Sequence, residues 1–443
     1  MKNQAIYPLT FILLFFTYYS LSAQTFVGST TDNRAGVHSL VLNPALVINE
    51  EMRADINLFS SSVFVGNDYI GIDLASLTSI GEGFVFDEAY DTNPKEDNNF
   101  FGNVDVLGPS FQFNLNPKSS IGFTTRVRAF FNINNIGGEL YQVISSENED
   151  NNDFSFVMED LTGIVHAWGE VGLTYGRVLM EKENQLLKGG VTLKYLAGAG
   201  GVFGNSSALD ATYSESSDNL TTGGLLNYGY TNGFDSEDIS FSDISSGFGA
   251  DIGFVYELKN TNQAGQYQSD GYKFRFGLSL MDIGGINYAE VEQFEYDMNA
   301  TVPVSEYQEN NLEDVLAENF NGTNEIIESK FGLPTSLQFF GDYSVSDHFF
   351  VSLNGAISLA SSSSMPVNQI INYVTATPRY EMKWISVYSP VSFREYDSSI
   401  MWGLGLRAGP VIVGSGSIFS NILSSSSKSA DLFVGFKIPL YSK

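Results

Sequence analysis

Hydrophobic and polar positions alternate residue by residue along much of this chain. The clearest stretch is Val104 to Ile133, two alternating runs either side of Asn116-Pro117-Lys118-Ser119-Ser120. In the second run Ile121, Phe123, Thr125, Val127, Ala129, Phe131 and Ile133 share one face; Gly122, Thr124, Arg126, Arg128 and Asn132 share the other. A period of two predicts strands and the polar break predicts a turn, so the stretch reads as a β-hairpin. Its second run exceeds the roughly six residues of a common soluble strand and reaches the roughly ten that a tilted strand needs to cross a bilayer.

The pattern recurs. Val171, Leu173 and Tyr175 alternate with glycine and threonine, and Val191, Leu193 and Tyr195 with Thr192 and Lys194. Phe248, Ala250, Ile252, Phe254, Tyr256 and Leu258 are expected on one face, followed by Tyr272, Phe274, Phe276, Leu278 and Leu280, with Asp251, Glu257, Lys273 and Arg275 opposite. Phe349, Val351 and Leu353, then Trp402, Leu404 and Leu406, then Val434, Phe436 and Ile438 continue it. About fourteen such runs are expected, within about two either way. Short turns at Asn116–Ser120, Glu181–Leu186 and Ser346–His348 contrast with long acidic connections, read as loops, at Glu139–Thr162, Tyr213–Asp243 and Tyr288–Ser329. In the last of these Leu312, Val315, Leu316 and Phe320 predict a short helix. Short turns at one end and long loops at the other are the asymmetry of outer-membrane barrels.

Composition narrows the choice between a large barrel and a soluble all-β protein. Aromatics are 14%, with 35 Phe and 23 Tyr, charged residues are only 16%, and there are 43 Gly and no Cys. A soluble domain carries about 25% charged residues, so a sheet wet on one face and apolar on the other fits better. The formal charge of -29 excludes nucleic acid as a partner, because phosphate binding needs a basic field. No acidic run has the ligand spacing of a calcium loop, and no metal or cofactor is expected.

Lys2, the apolar run Ile6–Leu21 and Ser22-Ala23 form a secretory signal, placed at residues 1–23. Residues 24–52 do not alternate and read as a short plug-like hatch; residues 53–443 read as the barrel. Asn43 suits a cap or turn, Pro44 next to it fixes its own φ and Ala45 is small enough to pack, so this turn is assigned a structural role. The stretch from Gly36-Val37 to Asn43-Pro44-Ala45, just before Ala54–Val65, resembles the N-terminal hatch of FadL-like outer-membrane barrels, including PorV-type secretion subunits. Leu278–Tyr288, and Thr377–Ser417 with its Thr377-Pro378-Arg379-Tyr380 and Arg407-Ala408-Gly409-Pro410, resemble an uncharacterised branch of that superfamily. The resemblance implies a fourteen-stranded barrel with the hatch inside it, in the Gram-negative outer membrane.

Candidate chemistry is sparse. His38, His166 and His348 are read as interfacial or turn residues, no nucleophile elbow or HExxH occurs, and no enzymatic activity is expected. Arg126, Arg128, Lys194, Lys273, Arg275, Arg407 and Lys437 alternate with apolar neighbours and are expected to face the lumen. They would form either a ladder of salt bridges or a site for an anionic amphipath. The sequence thus predicts an all-β transmembrane antiparallel barrel with a short N-terminal hatch, embedded in outer-membrane lipid and taking up hydrophobic or amphipathic small molecules. The alternative is a PorV-like accessory or shuttle for secreted proteins, without transport.

Overall fold

A computed structural model describes residues 25–73, 90–144, 152–232, 244–261, 267–360, 365–396 and 399–441; the expected signal segment lies outside them. The main sheet closes into an antiparallel barrel of fourteen staves. In chain order they are β1 (Met52–Asn67), β2 (Asn98–Leu107 and Ser110–Asn116), β3 (Ser119–Ile136), β4 (Phe154–Lys182), β5 (Gln185–Ser214), β6 (Asn219–Thr231 and Ser245–Thr261) and β7 (Tyr267–Asp297). The rest are β8 (Asn321–Gly332 and Ser336–Ser344), β9 (Phe349–Ser358), β10 (Tyr373–Glu381), β11 (Ile385–Tyr388 and Val391–Arg394), β12 (Ile400–Trp402 and Leu404–Ala408), β13 (Val411–Ser415) and β14 (Ser429–Tyr441). β2, β8 and β11 are interrupted at Pro109, Pro334 and Pro390, because proline has no N–H for the ladder. Closure comes from β14 pairing β1, with Ile56 opposite Ile438.

The alternation sorts residues as expected. On β4, Trp168, Glu170, Gly172 and Thr174 are buried in the lumen while Val171, Leu173 and Tyr175 are exposed on the outer wall; on β9 Phe349, Val351 and Leu353 are exposed. An apolar outer wall on strands that pair with their neighbours around a closed ring is a membrane-spanning surface. Among the described residues no helix is long and apolar enough to cross a membrane.

Two expectations fail. The acidic connections of β3–β8 are largely not loops: β4, β5 and β7 run for 29, 30 and 31 residues, against 10 for β9 and 5 for β13. The barrel therefore carries a tall crest on one side. Its inner face holds a separate apolar core that includes Met158, Leu209, Tyr213, Tyr296, Val315 and Leu316, roofed by α1 (Gly138–Ile144), α2 (Val304–Glu309) and α3 (Leu312–Asn319). Helix α3 is the one expected from Leu312 to Phe320, and Asn311 caps it by accepting the Asp314 N–H at 2.8 Å. Outside the bilayer the outer face of these strands meets water, so polar residues occupy it and the alternation fades.

The second correction is at the start of β7. A bulge against β6, between Leu258 and Lys259, brings Tyr272 into the lumen, where its hydroxyl donates to Asp342. Lys273 does not join the luminal charges; it is half-buried, donates to the Ser344 carbonyl at 2.6 Å and lies 4.5 Å over the ring of Tyr343, an outer-wall residue.

Candidate functional site

The inward side chains of β3 give the order of the lumen from its short-turn end upward. Gly122 lies against hatch residues Leu40 and Val47; Arg126 and Arg128 enter a charged network; Phe130 joins an aromatic cluster; Asn132 holds an inward-folded segment; Asn134 lines an upper cavity.

The hatch fills the short-turn end. Residues Gly36–Val41 and Pro44–Val47 form two 3-10 helices, each too short to satisfy its own end groups. The wall bonds carbonyls at these ends and in the turns that precede them. Arg275 donates to Thr31 O at 2.6 Å, Lys437 to Arg34 O and Ala35 O at 2.6 Å, Ser279 to Leu42 O at 2.6 Å and Lys188 to Ile48 O at 3.3 Å. Arg407 pairs with Asp32 at 3.3 Å, and Asp55 accepts the Val37 N–H at 3.0 Å. At the Asn-Pro-Ala turn, Asn43 accepts the Ala45 N–H at 2.9 Å and donates to the carbonyls of Phe254 and Leu278, a cross-strand pair of β6 and β7. The turn can approach because Gly190 and Gly253 face it: a Cβ at Gly190 would collide with Pro44 and Ala45, and one at Gly253 with Asn43 and Pro44.

Above the hatch, three expected cations meet four carboxylates. Arg126 Nε donates to Asp105 at 2.9 Å and its Nη1 to Glu170 at 3.1 Å. Arg128 reaches Asp282 at 2.9 Å, and Lys194 reaches Asp282 at 2.6 Å and Asp251 at 2.9 Å. Each of these cations already has an acidic partner. The structure thus brings Arg126, Arg128 and Lys194 together, assigns Arg275 and Arg407 to the hatch, and leaves Lys273 at the rim. It also places three cations that the alternation was not read for: Lys188, beside Glu257 at 2.9 Å; Arg379, beside Asp342 and Glu381 at 2.5 Å each; and Arg394.

A chamber of about 90 Å³ lies between hatch and network, bounded by Thr25, Val27, Leu42, Phe64, Phe101, Arg126, Arg128, Phe130, Ile370, Tyr373 and Arg394. The segment from Met365 to Ile371 folds into the lumen over it: Asn132 accepts from Asn368 Nδ2 at 2.8 Å and from the Gln369 N–H at 3.0 Å, and donates to Gln369 O at 3.1 Å. Beyond this clasp is a cavity of about 320 Å³ lined by Asn134, Asn205, Asn227, Gln293, Phe203 and Ile327.

The histidines sit differently from their expected interfacial or turn places, except His348, which is in its turn with Nδ1 3.1 Å from Glu381 O. His38 is fully buried in the hatch seat, stacked on Phe26 at 4.1 Å, with Nε2 2.8 Å from Ser60 Oγ. Ser60 donates to Asn57 at 2.5 Å, so this contact belongs to a closed packing seam. His166 is fully buried beside Trp168 and Phe331, 3.0 Å from the Tyr288 hydroxyl.

Residues 44–416 match the Family of unknown function (DUF5723). The chain belongs to this family. No curated protein matches the sequence. Among solved structures, this DUF5723 chain is similar to a Pseudomonas aeruginosa FadL homologue, at 9% identity over 95% of this chain and 98% of that one, with a TM-score of 0.41. It is also similar to the Pseudomonas putida toluene transporter TodX, at 8% identity over 94% and 93%, TM-score 0.40, and to a TodX mutant described as a monoaromatic hydrocarbon channel, at 10% identity over 92% and 94%, TM-score 0.44. At these scores the likeness carries no functional weight, and the matches lend no support to the secretion-accessory alternative.

Proposed function

We propose that the barrel is a non-enzymatic route for passive uptake of hydrophobic or amphipathic small molecules across the Gram-negative outer membrane, with the crest outside. The observation that supports this reading is the chamber, where aromatic and aliphatic side chains such as Phe64, Phe101, Phe130 and Tyr373 share the lining about equally with polar and charged ones such as Asn103, Gln338 and Arg394, an enclosed amphipathic lining. A solute would descend from the upper cavity past the Asn132–Asn368 clasp and leave where the hatch meets the wall. In proteoliposomes made with the purified barrel, an amphipathic ester should enter at least about tenfold faster than in protein-free vesicles, while a disaccharide should not. Equal entry of the ester with and without protein sinks the reading.

A further inference from the structure

Arg394 differs from every other luminal cation just described. It stands at the inward end of β11, 1% exposed, and lines the chamber. Its Nη1 donates to Ser429 Oγ at 2.7 Å, and its guanidinium lies 4.9 Å over the ring of Phe64. Nε and Nη2 have no hydrogen-bond partner. The nearest carboxylate, Asp431, comes no closer than 3.8 Å, an ion pair without a hydrogen bond. Its oxygens are already engaged by Gly416 N, Ser417 Oγ and, at 3.3 Å, Ser415 Oγ.

Nε and Nη2 form one edge of the guanidinium plane, two parallel N–H donors in the fork that matches the two oxygens of a carboxylate. Buried donors left without a partner are destabilising, so this edge calls for an acceptor. Water can satisfy such an edge, but a carboxylate takes both N–H groups in the fork and also brings the neutralising charge. The space admits a small molecule: about 90 Å³ is open to the centre of a water-sized sphere, several times the roughly 10–15 Å³ that one water needs. The neighbouring rings of Phe64, Phe101 and Tyr373 favour a flat apolar body.

The geometry points to Arg394 as the recognition residue of a chamber site for a small monocarboxylate with an apolar, ring-sized body, an inference that rests on the uptake reading above. Arg126 and Arg128 are tied to Asp105, Glu170 and Asp282, with Arg128 lacking a partner at Nε alone; of the three, Arg394 is the one with two buried nitrogens unpartnered and no carboxylate within hydrogen-bond distance.

The test uses the full-length barrel in detergent, with benzoate as probe and benzyl alcohol as its neutral counterpart, binding being read by saturation-transfer NMR and calorimetry. Wild type should bind benzoate at least about tenfold more tightly than benzyl alcohol. Arg394→Gln should weaken benzoate at least about tenfold and leave benzyl alcohol unchanged, with Arg394→Lys in between. Heat-modifiable migration of each variant on gels confirms a folded barrel. Equal benzoate binding by wild type and Arg394→Gln overturns the assignment, as does equal binding of the two probes by wild type. Ester flux in proteoliposomes separates the two readings: flux without benzoate binding overturns the Arg394 site alone, and absence of flux overturns the uptake reading.

Discussion

In the hatch seat Lys188, Arg275 and Lys437 direct their protons at backbone carbonyls of Ile48, Thr31, Arg34 and Ala35, while in the chamber Arg126, Arg128 and Lys194 direct theirs at carboxylates. The residue types are the same; what differs is the acceptor left unsatisfied nearby. The hatch is a run of turns and two short 3-10 helices buried against a wall, and carbonyls such as Thr31 O and Arg34 O before the first helix and Ile48 O after the second face that wall, where a luminal cation is the donor at hand. Lys188 and Arg275 also keep an acid each, Glu257 at 2.9 Å and Asp342 at 3.0 Å, whereas the three chamber cations hydrogen-bond to acids alone, and Asp105, Glu170, Asp251 and Asp282 outnumber them by one. The hatch is thereby part of the fold, and among the cations compared Arg394 alone leaves two buried guanidinium nitrogens without a hydrogen-bond partner.

The largest effect should come from breaking the seat. Gly190→Leu places a side chain where Pro44 and Ala45 now lie, and four hydrogen bonds of the Leu42–Ile48 segment, from Ser279, Lys188 and two from Asn43, would be lost with the displaced turn. At about 1 kcal/mol each, with about 1–3 kcal/mol for overpacking, the barrel should lose about 5–7 kcal/mol. Urea unfolding reads the loss, and planar-bilayer conductance should rise as the hatch leaves. Unchanged conductance and stability would show that the turn does not depend on that glycine.

The barrel was legible because a hydrocarbon-facing wall enforces the period of two. Val171-Leu173-Tyr175 and Val434-Phe436-Ile438 show it without help from tertiary structure. The crest was not legible because water on the outside of β4, β5 and β7 permits Ser155, Asp210, Thr212 and Glu295 there, leaving inward residues such as Met158, Leu209, Ala211, Tyr213 and Tyr296 as the trace. Bulges hid the rest: one residue inserted before Phe274 exchanges the places of Tyr272 and Lys273. Arg394 closes a four-residue strand after Pro390, where Val391 and Phe393 alternate with Ser392 and Arg394. That signal was present but too short to stand apart from a loop. Which cations are saturated could not be read at all, since Asp282 lies 154 residues from Arg128 in sequence.

The network offers a sharper and smaller test. Because carboxylates already exceed cations by one, removing a cation and removing an acid are not equivalent. Lys194→Met leaves Asp251 and Asp282 facing each other without their shared ammonium and should cost about 3 kcal/mol. Asp282→Asn keeps the shape, and asparagine tolerates the positive φ of 56° at that position. It also balances the charges, since Lys194 retains Asp251 at 2.9 Å and Arg128 retains Glu170 at 3.7 Å. Its loss should be about 1 kcal/mol. Urea midpoints in detergent measure both, and equal losses would contradict the stated imbalance.

The smallest effect is expected at Lys273, which sequence alternation alone would group with Arg275. At the rim it holds one carbonyl, Ser344 O, and one ring face, Tyr343, both within reach of water because the side chain is half-buried. Such a cation–π contact contributes about 0.5–1 kcal/mol. Arg275, two residues on, is buried, pairs with Asp342 at 3.0 Å, holds Thr31 O and lies 4.4 Å over the Tyr272 ring, so its removal leaves a buried carboxylate and a hatch carbonyl short of donors. Lys273→Gln should therefore shift the urea midpoint by no more than about 1 kcal/mol and leave benzoate binding unchanged, whereas Arg275→Gln should cost about 3 kcal/mol. Matching losses for the two would place Lys273 inside the lumen after all, and with it the unbulged register of β6 and β7.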